Sequence, residues 1–228
     1  MASAPKSLVH LAESHNYEMN ARDWDAALRR MIVEQLGARD IHDPRVLDAM
    51  SRVPRHLFLP EDARFDAYDD HPVPIGHGQT ISQPYIVAFM TQALDVGPEH
   101  RVLEIGTGCG YQTAVLAGLA REVFSIEVVP ELAARARQTL DVLGYTNVHV
   151  RVGDGYDGWP GEAPFDRILG AAAAPEIPPV LVDQLADDGI LVLPVGDSHQ
   201  EIKVVQKRAG QVHSRDVLPV RFVPMVRR

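Results

Sequence analysis

From Arg101 onward, short apolar runs alternate with stretches whose apolar residues recur three and four positions apart. The runs Arg101 to Ile105, Val123 to Glu127, Val148 to Val152, Phe165 to Leu169 and Ile190 to Val195 have the length and continuity of strands buried on both faces. Tyr111 to Ala120, Pro130 to Leu143 and Pro179 to Leu185 fit helices, and the last two open on a proline, which suits a first helical turn. Strands and helices in alternation need a mostly parallel sheet covered by helices on both faces. The pattern therefore predicts a doubly wound α/β fold. Beyond Gly196 it changes: Ile202-Lys203-Val204 and Val217 to Val226 read as strands joined by a turn at Ala209-Gly210, an antiparallel pair at one sheet edge.

The first hundred residues read differently. Met1 to Asn20 alternates polar and apolar residues without a continuous apolar core, so it is expected to be a flexible extension and not a secretory signal. Trp24, Leu28, Met31, Ile32 and Leu36 fall at helical spacing, and Asp43-Pro44 ahead of Val46, Leu47 and Met50 predicts a second, capped helix. Val53 to Pro60 has prolines and no period, which predicts an extended connector, and a long loop follows from Glu61 to Ser82. Loops of that length inside compact domains are usually functional. Residues 21–228 are expected to form one domain, with a helical cap and loop over 21–100 and the sheet over 101–228.

Composition narrows the class. A chain that is 46% hydrophobic and 23% charged is an ordinary globular protein. Its net charge of -9, with no long basic run, argues against nucleic acid as a partner. No run approaches the length of a membrane span, so no membrane is expected either. Cys109 is the only cysteine, which excludes an intrachain disulfide and a cysteine-based zinc site and fits a reducing, cytoplasmic location. Asp69-Asp70-His71 reads as a solvated turn, and no metal is expected.

The candidate chemistry lies at the strand ends. In an open α/β sheet a ligand sits beyond the carboxyl ends of the strands, here at the turn Gly106-Thr107-Gly108-Cys109-Gly110. A dinucleotide fingerprint would need its third glycine at position 111, where Tyr111 stands. Glu104 just before the turn would repel phosphates but suits a cation, such as the methionine amino group of S-adenosylmethionine. Glu127, at the end of the next strand, suits two ribose hydroxyls, and Asp154-Gly155, after the third strand, suits the adenine amino group. Three acidic strand ends together with the glycine turn point to an S-adenosylmethionine site, although solvated strand ends would also be acidic. Cys109 reads as a small residue fitting the turn.

A larger set of segments resembles the protein-L-isoaspartate O-methyltransferase family. They are Arg45-Val46-Leu47, Val53-Pro54-Arg55-His56, Gln79-Thr80-Ile81-Ser82-Gln83-Pro84-Tyr85, Val102 to Tyr111, Gly153-Asp154-Gly155, Pro175 to Pro178, Leu191 to Gly196 and Val220 to Pro224. The resemblance runs from about Ala27 to Met225. It implies a Rossmann-like class I methyltransferase fold and methyl transfer to the free α-carboxylate of L-isoaspartyl residues in damaged proteins and peptides. It also implies that Ser82 is the catalytic serine, with Thr80 and Ile81 approaching cofactor and substrate. Ser82 directly before Gln83-Pro84 is equally a natural helix N-cap. Leu169-Gly170-Ala171-Ala172 and Cys109 depart from the family pattern, the first by lacking a hydroxyl residue and the second by replacing a common serine. A small-molecule or other carboxyl methyltransferase, and a non-catalytic S-adenosylmethionine-binding module, remain open at this point.

Overall fold

The computed structural model describes residues 21–227. The extension expected over Met1 to Asn20 lies outside the described residues.

Helix α1 (Ala21–Arg30) runs on through a π-helical stretch, Met31–Gly37. Helix α2 (Pro44–Arg52) is capped as its sequence predicts: the Asp43 side chain accepts the Arg45 N–H at 2.9 Å, and proline opens the helix. The loop expected over Glu61 to Ser82 is more ordered than its composition suggests. It holds a 3₁₀ turn (Glu61–Asp66) and a hairpin of β1 (Val73–Gly76) and β2 (Gln79–Ile81). Gly76, His77 and Gly78 form its tip, all three with positive φ. The connector before it is also less extended than expected, because Arg55–Phe58 closes into a 3₁₀ turn with the Leu57 N–H on Pro54 O at 2.9 Å.

Helix α3 (Pro84–Leu94) leads into β3 (Arg101–Ile105), and from there strands and helices alternate as predicted. They are α4 (Tyr111–Ala117), β4 (Glu122–Glu127), α5 (Pro130–Val142), β5 (Val148–Val152), β6 (Phe165–Gly170), α6 (Pro179–Asp183) and β7 (Leu185–Val195). Helix α4 ends at Ala117, and the Asn147 side chain satisfies its end by donating to the Ala117 and Ala120 carbonyls, at 3.0 and 3.2 Å. The antiparallel pair β8 (Gln200–Arg208) and β9 (Gln211–Val220) completes a seven-stranded sheet in the order β5-β4-β3-β6-β7-β8-β9. Strands β3 to β7 are parallel.

The last expected strand was to reach Val226 but ends at Val220. The Gln200 side chain accepts the Phe222 N–H at 2.6 Å and so replaces the ladder there. The segment beyond turns back to form a parallel bridge between Pro224 and Ala173. The chain reverses direction across the sheet between β3 and β6, because β4 and β5 lie on one side of β3 and β6 and β7 on the other. Such a switch point opens a crevice beyond the strand ends. The cap closes it from above, and Ala27, Met31 and Val46 share one core with Ala114, Leu132 and Leu140.

Candidate active site

One cavity occupies this crevice, and most of the residues singled out in the sequence line it. Thr80, Ile81 and Ser82 come from the hairpin edge, Gly106, Thr107 and Gly108 from the glycine turn, Glu127 from the end of β4, and Gly155 from the turn after β5. Glu104, Gly110 and Asp154 stand behind the wall. Gly110 serves packing: a Cβ there would lie 3.3 Å from both Ala136 Cβ and Leu140 Cδ1, so it lets α5 approach the start of α4. Asp154 caps the next turn by accepting the Tyr156 N–H at 2.8 Å, and Arg227 stands 3.9 Å from it.

Glu104 is fully buried at the end of a hydroxyl chain. Its Oε2 accepts from Thr113 Oγ1 at 2.5 Å and from Ser125 Oγ at 2.6 Å. With the Ser125 hydrogen committed there, the Thr107 hydroxyl is the donor in its 2.6 Å contact with Ser125 Oγ. Burial pushes the Glu104 carboxyl up to about 7, against the pull of the two hydroxyls. Its Oε1 is buried without a hydrogen-bond partner. Glu127 accepts the Gly108 N–H at 2.7 Å and the Val129 N–H at 3.0 Å, which fixes the glycine turn against the end of β4.

Among the described residues that line the cavity, Glu127 is the only one with a charged side chain. A pyrophosphate would therefore meet an anion and no cation, whereas a positively charged cofactor meets a favourable field. Gly106 and Gly108, with φ of 94° and 54°, leave the main chain open to a ligand where a side chain would be strained. Burial raises the pKa of Cys109, which keeps the thiol protonated.

The hairpin is braced on the cofactor side. Arg135 of α5 donates to Ile75 O, and Ile75 Cδ1 packs against the glycine turn, 3.4 Å from where a Gly108 Cβ would stand. Ser82 does not cap α3, because the cap position is Gln83 and no side-chain cap bond forms there. The two histidines flanking this region lie off the cavity. His56 stacks on Trp24 with centroids 4.4 Å apart and bonds Tyr68 Oη at 2.8 Å, while His77 sits exposed at the hairpin tip. Asp70 pairs with Arg39 at 2.9 Å and His71 Nε2 stands 3.9 Å from Asp69, so one ion pair and a longer histidine contact hold the acidic turn.

Sequence reasoning missed several lining residues: Gln79, Ile86, Gln112, Val128, Met225 and Val226. Gln112 donates to Thr91 Oγ1 at 2.9 Å and links α4 to α3. Only the turn of the chain after Val220 brings Met225 and Val226 over the crevice, and no periodicity announces that turn.

Comparison with known proteins places this arrangement. The family model described as protein-L-isoaspartate(D-aspartate) O-methyltransferase matches residues 27–228. The chain is 59% identical over 199 residues to a protein-L-isoaspartate O-methyltransferase of Opitutus terrae, covering 86% of this chain and 85% of that one. It is 58% identical over 205 residues to one of a Synechococcus species, covering 86% and 84%. A solved structure from Plasmodium falciparum, described as a protein-L-isoaspartate O-methyltransferase in complex with S-adenosyl-L-homocysteine, superposes with a TM-score of 0.77 at 27% identity, over 87% of this chain and 98% of that one. The chain belongs to the protein-L-isoaspartate(D-aspartate) O-methyltransferase family.

Proposed function

We propose that this chain transfers a methyl group from S-adenosylmethionine to the free α-carboxylate of L-isoaspartyl residues in damaged proteins and peptides, which begins their repair through a succinimide. The observation that carries this reading is the meeting of the Gln79 to Ser82 edge with the glycine turn and Glu127 in one cavity. S-adenosylmethionine, when bound, supplies a methyl group on a sulfonium centre.

The residues divide the remaining work. Glu127 holds the ribose hydroxyls with the lone pairs left after Gly108 and Val129. Gly155 borders the adenine, and Asp154 behind it holds that turn through the Tyr156 N–H. Gly106, Thr107, Gly108 and Gly110 shape the turn, and Glu104 behind it, once ionised in the field of the bound cation, sets negative potential toward the methionine amino group. Thr80, Ile81 and Ser82 approach both cofactor and acceptor. That acceptor is a carboxylate already ionised near pH 7, so no base has to be aimed at it. Ser82 orients it by a hydrogen bond, and alignment for in-line attack is the main catalytic task.

Residues 21–228 act as one domain, a reading supported by the core that cap and sheet share. The partners are isoaspartyl proteins and peptides, and nucleic acid is not among them, in keeping with the net charge of -9. Among the described residues, no helix is long and apolar enough to cross a membrane. The single, buried Cys109 supports a cytoplasmic setting. The function is tested by following S-adenosylhomocysteine release with one pure protein, fresh and after ageing that accumulates isoaspartyl linkages. Release should rise with ageing, and equal release from both samples would contradict the proposal.

A further inference from the structure

Arg55 has no exposed surface and is the largest fully buried side chain in the protein's described part. Its Nε donates to Ala67 O at 2.6 Å and its Nη2 to Ser82 O at 2.7 Å. The guanidinium carbon lies 4.7 Å from the centre of the Tyr111 ring, and Tyr111 lines the cavity. Arg55 Nη1 and the Tyr111 hydroxyl are both buried without a well-aligned hydrogen bond, so the guanidinium meets Tyr111 mainly over its ring, with the neutral hydroxyl close beside it. Among the described residues, every ion pair within 4.0 Å involves some other cation.

A buried cation without a counter-ion is costly, and such groups are normally paired. Two carbonyl dipoles and an aromatic face offset part of that cost, but neither brings a negative charge. Burial lowers the pKa of Arg55, yet arginine stays charged in proteins. The cavity wall has no cation of its own on the Ser82 side to receive an anion. Arg55 stands immediately behind that wall, one hydrogen bond from the Ser82 main chain.

We propose that Arg55 is a positioning residue for methyl transfer, which pins the Ser82 main chain and supplies through the cavity wall the positive potential that favours a carboxylate acceptor over a neutral one. The inference rests on the carboxylate acceptor proposed above. The reaction itself consumes the acceptor's charge, so the potential acts mainly on binding and alignment, and its signature is a preference between two ligands of the same shape.

The test compares an isoaspartyl peptide with its α-carboxamide counterpart, neutral but nearly isosteric. Calorimetry in the presence of S-adenosylhomocysteine gives the ratio of their affinities. The wild-type protein should prefer the carboxylate, and Arg55→Met should narrow that preference roughly tenfold, the size expected of a unit charge about 10 Å away at an effective dielectric near 20. Equal weakening of both peptides would overturn the proposal and leave Arg55 a scaffold residue. Arg55→Lys keeps the test decisive if the Met variant fails to fold. Burial can strip a lysine of its charge as pH rises, so its ratio should match wild type near about pH 6 and then hold or fall toward about pH 9. A ratio already collapsed at the lower pH would also overturn the proposal. Methylation of the isoaspartyl peptide by the wild-type protein, measured alongside, separates this outcome from failure of the acceptor assignment.

Discussion

Replacing Glu104 with glutamine is expected to flatten the pH dependence of the protein's stability in the absence of cofactor. Glu104 is fully buried, and burial raises its pKa from 4.5 to about 7. A carboxyl whose pKa rises on folding favours a protonated native state. Its contribution is therefore fully present below the unfolded value and is lost as pH rises through the folded one. For Glu104 that window runs from 4.5 to about 7. The whole shift corresponds to about 3 kcal/mol. By the same linkage, about 2 kcal/mol of it falls between about pH 5.5 and about pH 8. Glutamine keeps an oxygen for Thr113 and Ser125 to donate to and carries no charge at either pH. Urea unfolding at both pH values should show the wild-type protein losing about 2 kcal/mol more than the variant across the interval. Equal losses in the two proteins would refute the claim that burial dominates the Glu104 environment.

Three further substitutions separate the parts of the site. Ser82→Ala should lower kcat/KM about tenfold or more, the size of a lost hydrogen bond to a charged group, while thermal unfolding shifts little because Gln83 occupies the cap position. A large loss of stability with normal turnover per folded molecule would return Ser82 to a structural role. Gly155→Ala places a Cβ 2.3 Å from Ile105 Cγ2, a methyl on a stiff β-branched residue of the cavity wall. Overpacking of this kind costs about 1–3 kcal/mol, so a thermal scan should show clear destabilisation together with weaker S-adenosylhomocysteine binding. Glu127→Gln leaves one oxygen to serve the N–H groups of both Gly108 and Val129. Calorimetry should show cofactor affinity reduced about tenfold or more, and unchanged affinity would exclude Glu127 from the cofactor site.

The parallel sheet was legible because strands buried on both faces leave continuous apolar runs, and the helices between them keep their own period. The cofactor half of the site was legible for a related reason: Gly106, Gly108 and Glu127 sit at strand ends, where backbone geometry restricts which residues fit. Glu104 shows the limit of that reasoning. Its sign and position were readable, but its burial behind Thr113 and Ser125 depends on α4 and β4 packing together, which no local pattern encodes. Arg55 shows a sharper limit. A single arginine between Pro54 and His56 looks like part of a solvent-facing connector, and only tertiary structure reveals that it bonds Ala67 and Ser82 from the interior. The β1–β2 hairpin was hidden in the same way, since three- and four-residue strands are too short to establish a period.

Labelled S-adenosylmethionine can be offered with two peptides of identical sequence, one with a normal aspartyl linkage and one with an L-isoaspartyl linkage. Base-labile label should enter the isoaspartyl peptide alone if the protein methylates the free α-carboxylate. Equal labelling of both peptides, or of neither, would rule out isoaspartyl methylation as this protein's activity.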